Sequence, residues 1–293
     1  MNKCPTIFTV ASWEPRFRLG MQRLIENKIP ASVVMYFSSE YANQSAPNRD
    51  QVRISCNEKG VLLEEHMFSF RDFVSSWKLL YSTCSRSVAQ GGDVIVDITT
   101  MPREVIWILL NVLDGLATSI YWAYHKPETY DPHWLSRDPG RPRLVPKMGG
   151  IIRLGMPTKL LLLSGFDLDR AKQLILFYEP ELTLLGIQTG SQFDNLSMNA
   201  AKHRREFEGS TTVVCFDIDA YSDDHGYDSL KRRVEEQVND SNLIMTSLGP
   251  KPTSVALYRL HRQFPSTALA YAPSNEYNLH YSEGLGDTIF ERL

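Results

Sequence analysis

Residues Thr6–Arg16, TIFTVASWEPR, and Lys159–Arg170, KLLLLSGFDLDR, read as one piece of structure written twice. Each is an apolar run that stops at a serine, Ser12 or Ser164, and passes into a polar turn holding an acid and an arginine. A short apolar run bounded by turn residues is the pattern of a strand buried on both faces, as in a parallel sheet covered by helices. A second matched pair follows: Val94–Glu104, VIVDITTMPRE, against Leu243–Thr253, LIMTSLGPKPT. Each half then closes on Ala-Tyr, five residues and Tyr, with Ala123, Tyr124 and Tyr130 against Ala270, Tyr271 and Tyr277. The separations are 152 for Ser12 and Ser164, 149 for Asp93 and Asn242, and 147 for Tyr130 and Tyr277, a slow drift suited to a diverged duplication. Two unrelated domains of alternating strands and helices would share the strand-and-turn pattern; the tyrosine spacing is what argues for a repeat.

Outward from these anchors, strand runs alternate with helical periodicity, which predicts helices packed on parallel sheets. Strands are expected at Thr6–Ala11, Ser32–Phe37, Val61–Phe68, Val94–Ile98 and Ser119–Tyr124, and helices at Phe17–Asn27, Phe70–Ala89 and Arg103–Leu116. The second helix should turn Phe73, Trp77, Leu80 and Tyr81 inward. The second half repeats the rhythm, with strands at Leu160–Leu163, Leu182–Ile187, Thr212–Ile218, Leu243–Thr246 and Thr267–Tyr271 and helices near Asp169–Phe177, Met198–Phe207, Tyr227–Asn239 and Thr253–Gln263. The expected class is α/β: two tandem Rossmann-like domains with mainly parallel sheets, related by internal duplication. The expected boundaries are 1–135 for the first domain, 136–157 for a Pro/Gly-rich basic linker, and 158–293 for the second domain with a C-terminal tail.

With 293 residues the chain has room for two cores of ordinary size. A net charge of −3 and a pI near 6.2 argue against general nucleic-acid binding or membrane-surface binding, both of which need a broad basic field. An anionic ligand must therefore be met by a local cluster. Cys4, Cys56, Cys84 and Cys215 are scattered without a CxxC pair, which fits a reducing cytoplasm. The apolar run at the start leads into Trp13 and Glu14, unlike a signal peptide, and no stretch approaches a membrane span. The expected location is the cytoplasm.

In an open parallel sheet, ligands sit beyond the carboxyl ends of the strands, where helix N-termini present free N–H groups. Thr99 or Thr100 can cap the helix that Pro102 begins, and Arg103 is placed to fork onto a phosphate, with Asp97 ending the strand. A capped helix with an Asp–Arg pair explains the same residues. In the second half Ser247, Gly249 and Lys251 take these places: Gly249 permits close backbone approach and Lys251 adds charge, although Gly-Pro-Lys-Pro is also an ordinary tight turn. Ser12, Glu14 and Arg16, with Ser164 and Asp167, are further candidates, Arg16 for a phosphate and Glu14 for a ribose hydroxyl; helix-start acids have the same composition. Asp217, Asp219, Asp223, Asp224 and His225 resemble either a divalent-metal loop or a solvated acidic loop. Tyr277, Tyr281 and Ser282, with Gly284 and Gly286, could stack a base or pin the tail to the core. Neither half has a Walker loop or GxGxxG, and no histidine has a visible Ser or Cys partner, so no cofactor and no nucleophilic triad is expected.

VIVDITTMPRE resembles the strand-end signature of CARF domains, the CRISPR-associated Rossmann folds: Asp or Asn, any residue, Ser or Thr, three residues, then Arg or Lys. Asp97, Thr99 and Arg103 match it position by position. The second half departs from it, with Thr246 for the acid, Leu248 for the hydroxyl and Lys251 one residue early. CARF domains dimerise around a cyclic oligonucleotide, and SAVED domains carry two CARF-like units in one chain. The resemblance implies a sensor of a nucleotide-type second messenger in the cleft between two domains, in prokaryotic antiviral defence, with an effector protein supplied in trans and homo-oligomerisation open. The competing expectations are a nucleotide-degrading enzyme, a phosphodiesterase or nucleosidase with Glu14, Asp97 or Asp217 as general base, and a scaffold subunit of a defence complex.

Overall fold

A computed structural model of the chain describes residues 4–89, 92–131, 133–189 and 196–293. In chain order it contains β1 (Thr6–Val10), α1 (Pro15–Lys28), β2 (Ser32–Ser38), α2 (Ala42–Glu58), β3 (Leu62–Phe68), α3 (Phe73–Ser87), β4 (Asp93–Asp97), α4 (Arg103–Asp114) and β5 (Ser119–His125). Three short strands follow, β6 (Thr129–Tyr130), β7 (Ser136–Pro139) and β8 (Arg143–Leu144). Then come β9 (Thr158–Leu163), α5 (Leu168–Tyr178), β10 (Leu182–Gln188), α6 (Leu196–Glu206), β11 (Val213–Ile218), α7 (Tyr227–Gln237), β12 (Asn242–Ser247), α8 (Pro252–Gln263) and β13 (Ala268–Tyr271). The chain ends with β14 (Ser274–Tyr277), β15 (Ser282–Glu283) and β16 (Thr288–Arg292).

The chain divides into two compact units, 1–130 with 279–293, and 131–278. In the first unit the sheet runs β16-β5-β4-β1-β2-β3, parallel except for β16, which lies antiparallel to β5. In the second it runs β11-β10-β9-β12-β13-β8, parallel except for β8 against β13. Counted within each unit, both sheets have the order 3-2-1-4-5 followed by an antiparallel sixth strand. The strand order reverses between β1 and β4 in one unit and between β9 and β12 in the other, so each unit has a switch point at which a doubly wound fold leaves its crevice.

Local sequence explains the elements. Phe17, Met21, Leu24 and Ile25 recur at helical spacing on α1 and are all buried against Ile7, Val33, Met35 and Ile95 of the strands. Each such burial contributes about 1.5–3 kcal/mol. The second core forms in the same way from Leu160, Leu162, Leu185 and Ile187 with Ala171 and Leu174 of α5.

Four features differ from expectation. The segment 136–157 is part of the second unit: β7 pairs with β14 and β8 with β13, and the Arg153 guanidinium donates to the carbonyls of Val238, Asn239 and Ser241. The tail from Leu279 belongs to the first unit, where β15 pairs with β6 and β16 completes the sheet beside β5. Helix α2 carries no apolar period in the sequence, because its inward face offers only Ser45, Val52 and Cys56. Tyr81 points outward, stacked on Trp77 with ring centroids 5.5 Å apart, while Ser76, Leu80, Thr83 and Cys84 make the buried face of α3.

Candidate ligand-binding site

The turn after β1 is closed from inside. Ser12 Oγ accepts from the Glu14 N–H at 3.2 Å, and Asn48 Nδ2 donates to the carbonyls of Ser12 and Glu14. Glu14 and Arg16, only 3% and 2% exposed, form an ion pair of 2.6 Å. The tail completes the cluster: Tyr281 OH and Ser282 Oγ both donate to the Glu14 carboxylate, the serine at 2.7 Å. Arg16 donates in turn to the His125 carbonyl at 3.4 Å and to Tyr281 OH at 3.2 Å, with the rings of Tyr124, Tyr130 and Tyr281 about its guanidinium. Burial alone would lower the Arg16 pKa; Glu14 and then the tyrosines more than offset this, so it lies well above the ordinary value. Both side chains suggested for a ribose and a phosphate are therefore saturated by their own unit.

The second unit builds a smaller version. Asp167 Oδ1 caps α5 by accepting from the Arg170 N–H, and Ser136 Oγ donates to Asp167 Oδ2 at 3.3 Å. Arg170, 6% exposed, donates to the Ala272 carbonyl and to Ser136 Oγ. In each unit an arginine near the start of the first helix thus holds the carbonyl just at or after the fifth strand, and a serine from a remote segment holds the neighbouring acid. The tail residues Tyr281 and Ser282 were legible as candidates, whereas Ser136 was not. Ser136 lies 146 residues before Ser282, close to the 147 that separates Tyr130 from Tyr277.

At the end of β4, Asp97 is 1% exposed; its carboxylate accepts from Thr9 Oγ1 at 3.0 Å and from the Thr99 N–H at 3.1 Å. Thr99 Oγ1 accepts from the His125 N–H, and Thr100 Oγ1 donates to the Val10 carbonyl, which joins the loops on either side of the switch point. The counterpart in the second unit is made by backbone. A Cβ at Gly165 would land well inside van der Waals contact of the Leu248 carbonyl, and one at Gly249 would sit 2.7 Å from the Ser164 carbonyl. Gly249, expected to admit a ligand, is instead the residue that lets the loops after β9 and β12 cross. Ser164 is buried and Ser247 Oγ bonds Thr253 Oγ1 at 2.8 Å in the interior.

Arg103 and Lys251 remain at the surface of this framework. Both are half-buried, Arg103 as the first residue of α4 and Lys251 at the N-cap of α8, so the two cations lie one position apart in register, each at the start of the helix after the fourth strand of its unit. Tyr277, also half-buried, lies in β14 opposite Ser136.

The acidic loop of the second unit serves its own backbone. Asp217 pairs with Arg204, Asp219 accepts from the Tyr221 N–H, Asp224 accepts from the N–H groups of Gly226 and Asp228, and His225 Nδ1 lies 2.9 Å from the Ala220 carbonyl. Among the described residues no three His, Cys, Asp or Glu side chains converge as metal ligands, and no helix is long and apolar enough to cross a membrane. A preorganised carboxylate that the sequence did not mark is Glu40, after β2. Burial pushes its pKa up, but the hydroxyls of Ser38 and Ser69, at 2.6 and 2.5 Å, bring it down to about 2. Compared with protein-family models and with curated proteins, the chain matches none.

Proposed function

We propose that the chain is an internally duplicated pair of Rossmann-like units that binds a nucleotide-type anion, of the cyclic oligonucleotide class that the CARF/SAVED resemblance implies, at the carboxyl ends of its sheets. The observation that carries this is the recurrence of a half-buried cation, Arg103 and Lys251, at the start of the helix after the fourth strand of two sheets with the same strand order. Helix N-terminal N–H groups and a basic side chain together favour phosphate. Binding without turnover is the version favoured, because the candidate bases are occupied. Glu14 holds Arg16 and two hydroxyls, Asp97 holds Thr9 and Thr99, and Asp217 holds Arg204. A general base must reach the proton it takes, and the first two are buried. A cytoplasmic sensor in antiviral defence that signals to a separate effector protein follows from the resemblance.

The test is mass spectrometry of small molecules that co-purify with the chain, followed by calorimetric titration of cyclic and linear oligonucleotides into the parent, Arg103→Ala and Lys251→Ala. Binding that falls at least tenfold in each variant, weakens with salt and leaves the ligand intact supports the proposal. Unchanged affinity in both variants, or cleavage of the added nucleotide, refutes it.

A further inference from the structure

The sixth strand of each sheet comes from the other half of the sequence. In the first unit Ala123 and Tyr124 of β5 pair with Phe290 and Ile289; in the second, Ala270 and Tyr271 of β13 pair with Leu144 and Arg143. The two receiving pairs are 147 residues apart and the two donated pairs 146 apart, so the same pairing recurs with offsets that differ by one. The same two offsets relate the clamps. His125 and Ala272, whose carbonyls hold Arg16 and Arg170, are 147 apart, and Ser282 and Ser136, which hold Glu14 and Asp167, are 146 apart. The segment that follows the fifth strand of each half thus supplies the serine and the edge strand of the opposite unit. The two arms also meet one another: Thr129 and Tyr130 pair with Glu283 and Ser282 in the first unit, and Ser136, Arg137 and Pro139 with Tyr277, Glu276 and Ser274 in the second. Between these stretches Asn278, 8% exposed, fastens one arm to the other, with Nδ2 donating to Asp131 Oδ2 at 2.7 Å and the Trp134 carbonyl at 3.1 Å, and its N–H donating to the Leu135 carbonyl.

We infer that the chain is a fused pair whose arms are reciprocally exchanged, and that the arms, pinned at Asn278, couple the Glu14–Arg16 clamp of one unit to the Asp167–Arg170 clamp of the other. This rests on the duplication proposed above, though not on any ligand. Each arm is a continuous segment anchored at both ends: the arm leaving β5 runs from the carbonyl that holds Arg16 to the serine that holds Asp167, and the arm leaving β13 runs from the carbonyl that holds Arg170 to the serine that holds Glu14. Releasing either arm frees a serine and an edge strand in one unit and slackens the end of the fifth strand in the other. That gives a two-state element which both strand-end regions bias, the physical requirement for coupling.

Hydrogen-exchange mass spectrometry of the full chain without ligand tests this. Loss of the Asn278 side-chain bonds in Asn278→Ala is expected to speed exchange about fivefold both at residues 119–126 with 287–293 and at residues 143–145 with 268–271. Acceleration confined to the second unit overturns the coupling. Should Asn278→Ala fail to fold, Ser136→Ala removes only one half-buried hydroxyl of the second unit, and it too must speed exchange at residues 119–126; an unchanged rate there overturns the inference. As a control, Gly226→Ala strains the turn beside Ile218 of β11, at the edge of the second sheet opposite β8, and an equal response of the first unit to this change would overturn the arms as the route. Because nothing is added, the outcome is independent of whether Arg103 and Lys251 bind an anion.

Discussion

Arg16→Ala is expected to destabilise the first unit by about 3–5 kcal/mol, the cost of removing one partner from a buried ion pair and leaving the other charge uncompensated. The structure puts this change at the expensive end. Glu14 is 3% exposed, and Tyr281 OH and Ser282 Oγ, which also bind its carboxylate, are neutral donors that cannot replace the charge. The His125 carbonyl loses a donor as well. For a unit of this size roughly 2–4 °C accompanies each kcal/mol, so the melting transition assigned to the first unit should fall by about 6–20 °C. The assay is thermal unfolding of the full chain, with hydrogen exchange used to assign each transition to its unit. Glu14→Gln combined with Arg16→Met removes both charges and should recover much of the loss, since the penalty lies in the unpaired charge and not in the absence of the pair. If Arg16→Ala costs less than about 1 kcal/mol, as for an exposed pair, while anion binding collapses, the clamp interpretation is wrong and Arg16 is a ligand residue.

Two further outcomes follow from buried groups. Gly165→Ala should destabilise the second unit by about 1–3 kcal/mol, because the added methyl overlaps the Leu248 carbonyl; a urea midpoint equal to that of the parent would show that the loops after β9 and β12 do not cross closely. Burial lowers the pKa of His125, His203 and His261, so the fold favours their neutral form and the unfolded chain binds more protons below the ordinary histidine value of about 6.5. Their contribution is complete above that pH and is lost as pH falls from there toward the folded values; urea midpoints that do not drop between pH 7.5 and 5.5 would contradict it.

What the sequence alone determined was each half taken locally. Apolar runs such as Ile7–Val10 and Leu160–Leu163 must be buried on both faces, and the helical spacing of Phe17, Met21, Leu24 and Ile25 places α1 on a sheet, because these patterns are properties of a few adjacent residues. The matched turns after β1 and β9 and the tyrosine spacing were legible for the same reason. Which partner each polar side chain finds was decided only by tertiary structure. WEPR has the composition of a phosphate loop, but Tyr281 and Ser282, more than 260 residues away, fill it, and Arg16 takes the His125 carbonyl. Gly249 has the composition of a ligand turn, but the Ser164 backbone takes the space beside it. The tail and the Pro-rich segment are too short and too polar to carry a periodic signal; they become strands only because β5 and β13 present unpaired edges that long-range hydrogen bonding satisfies.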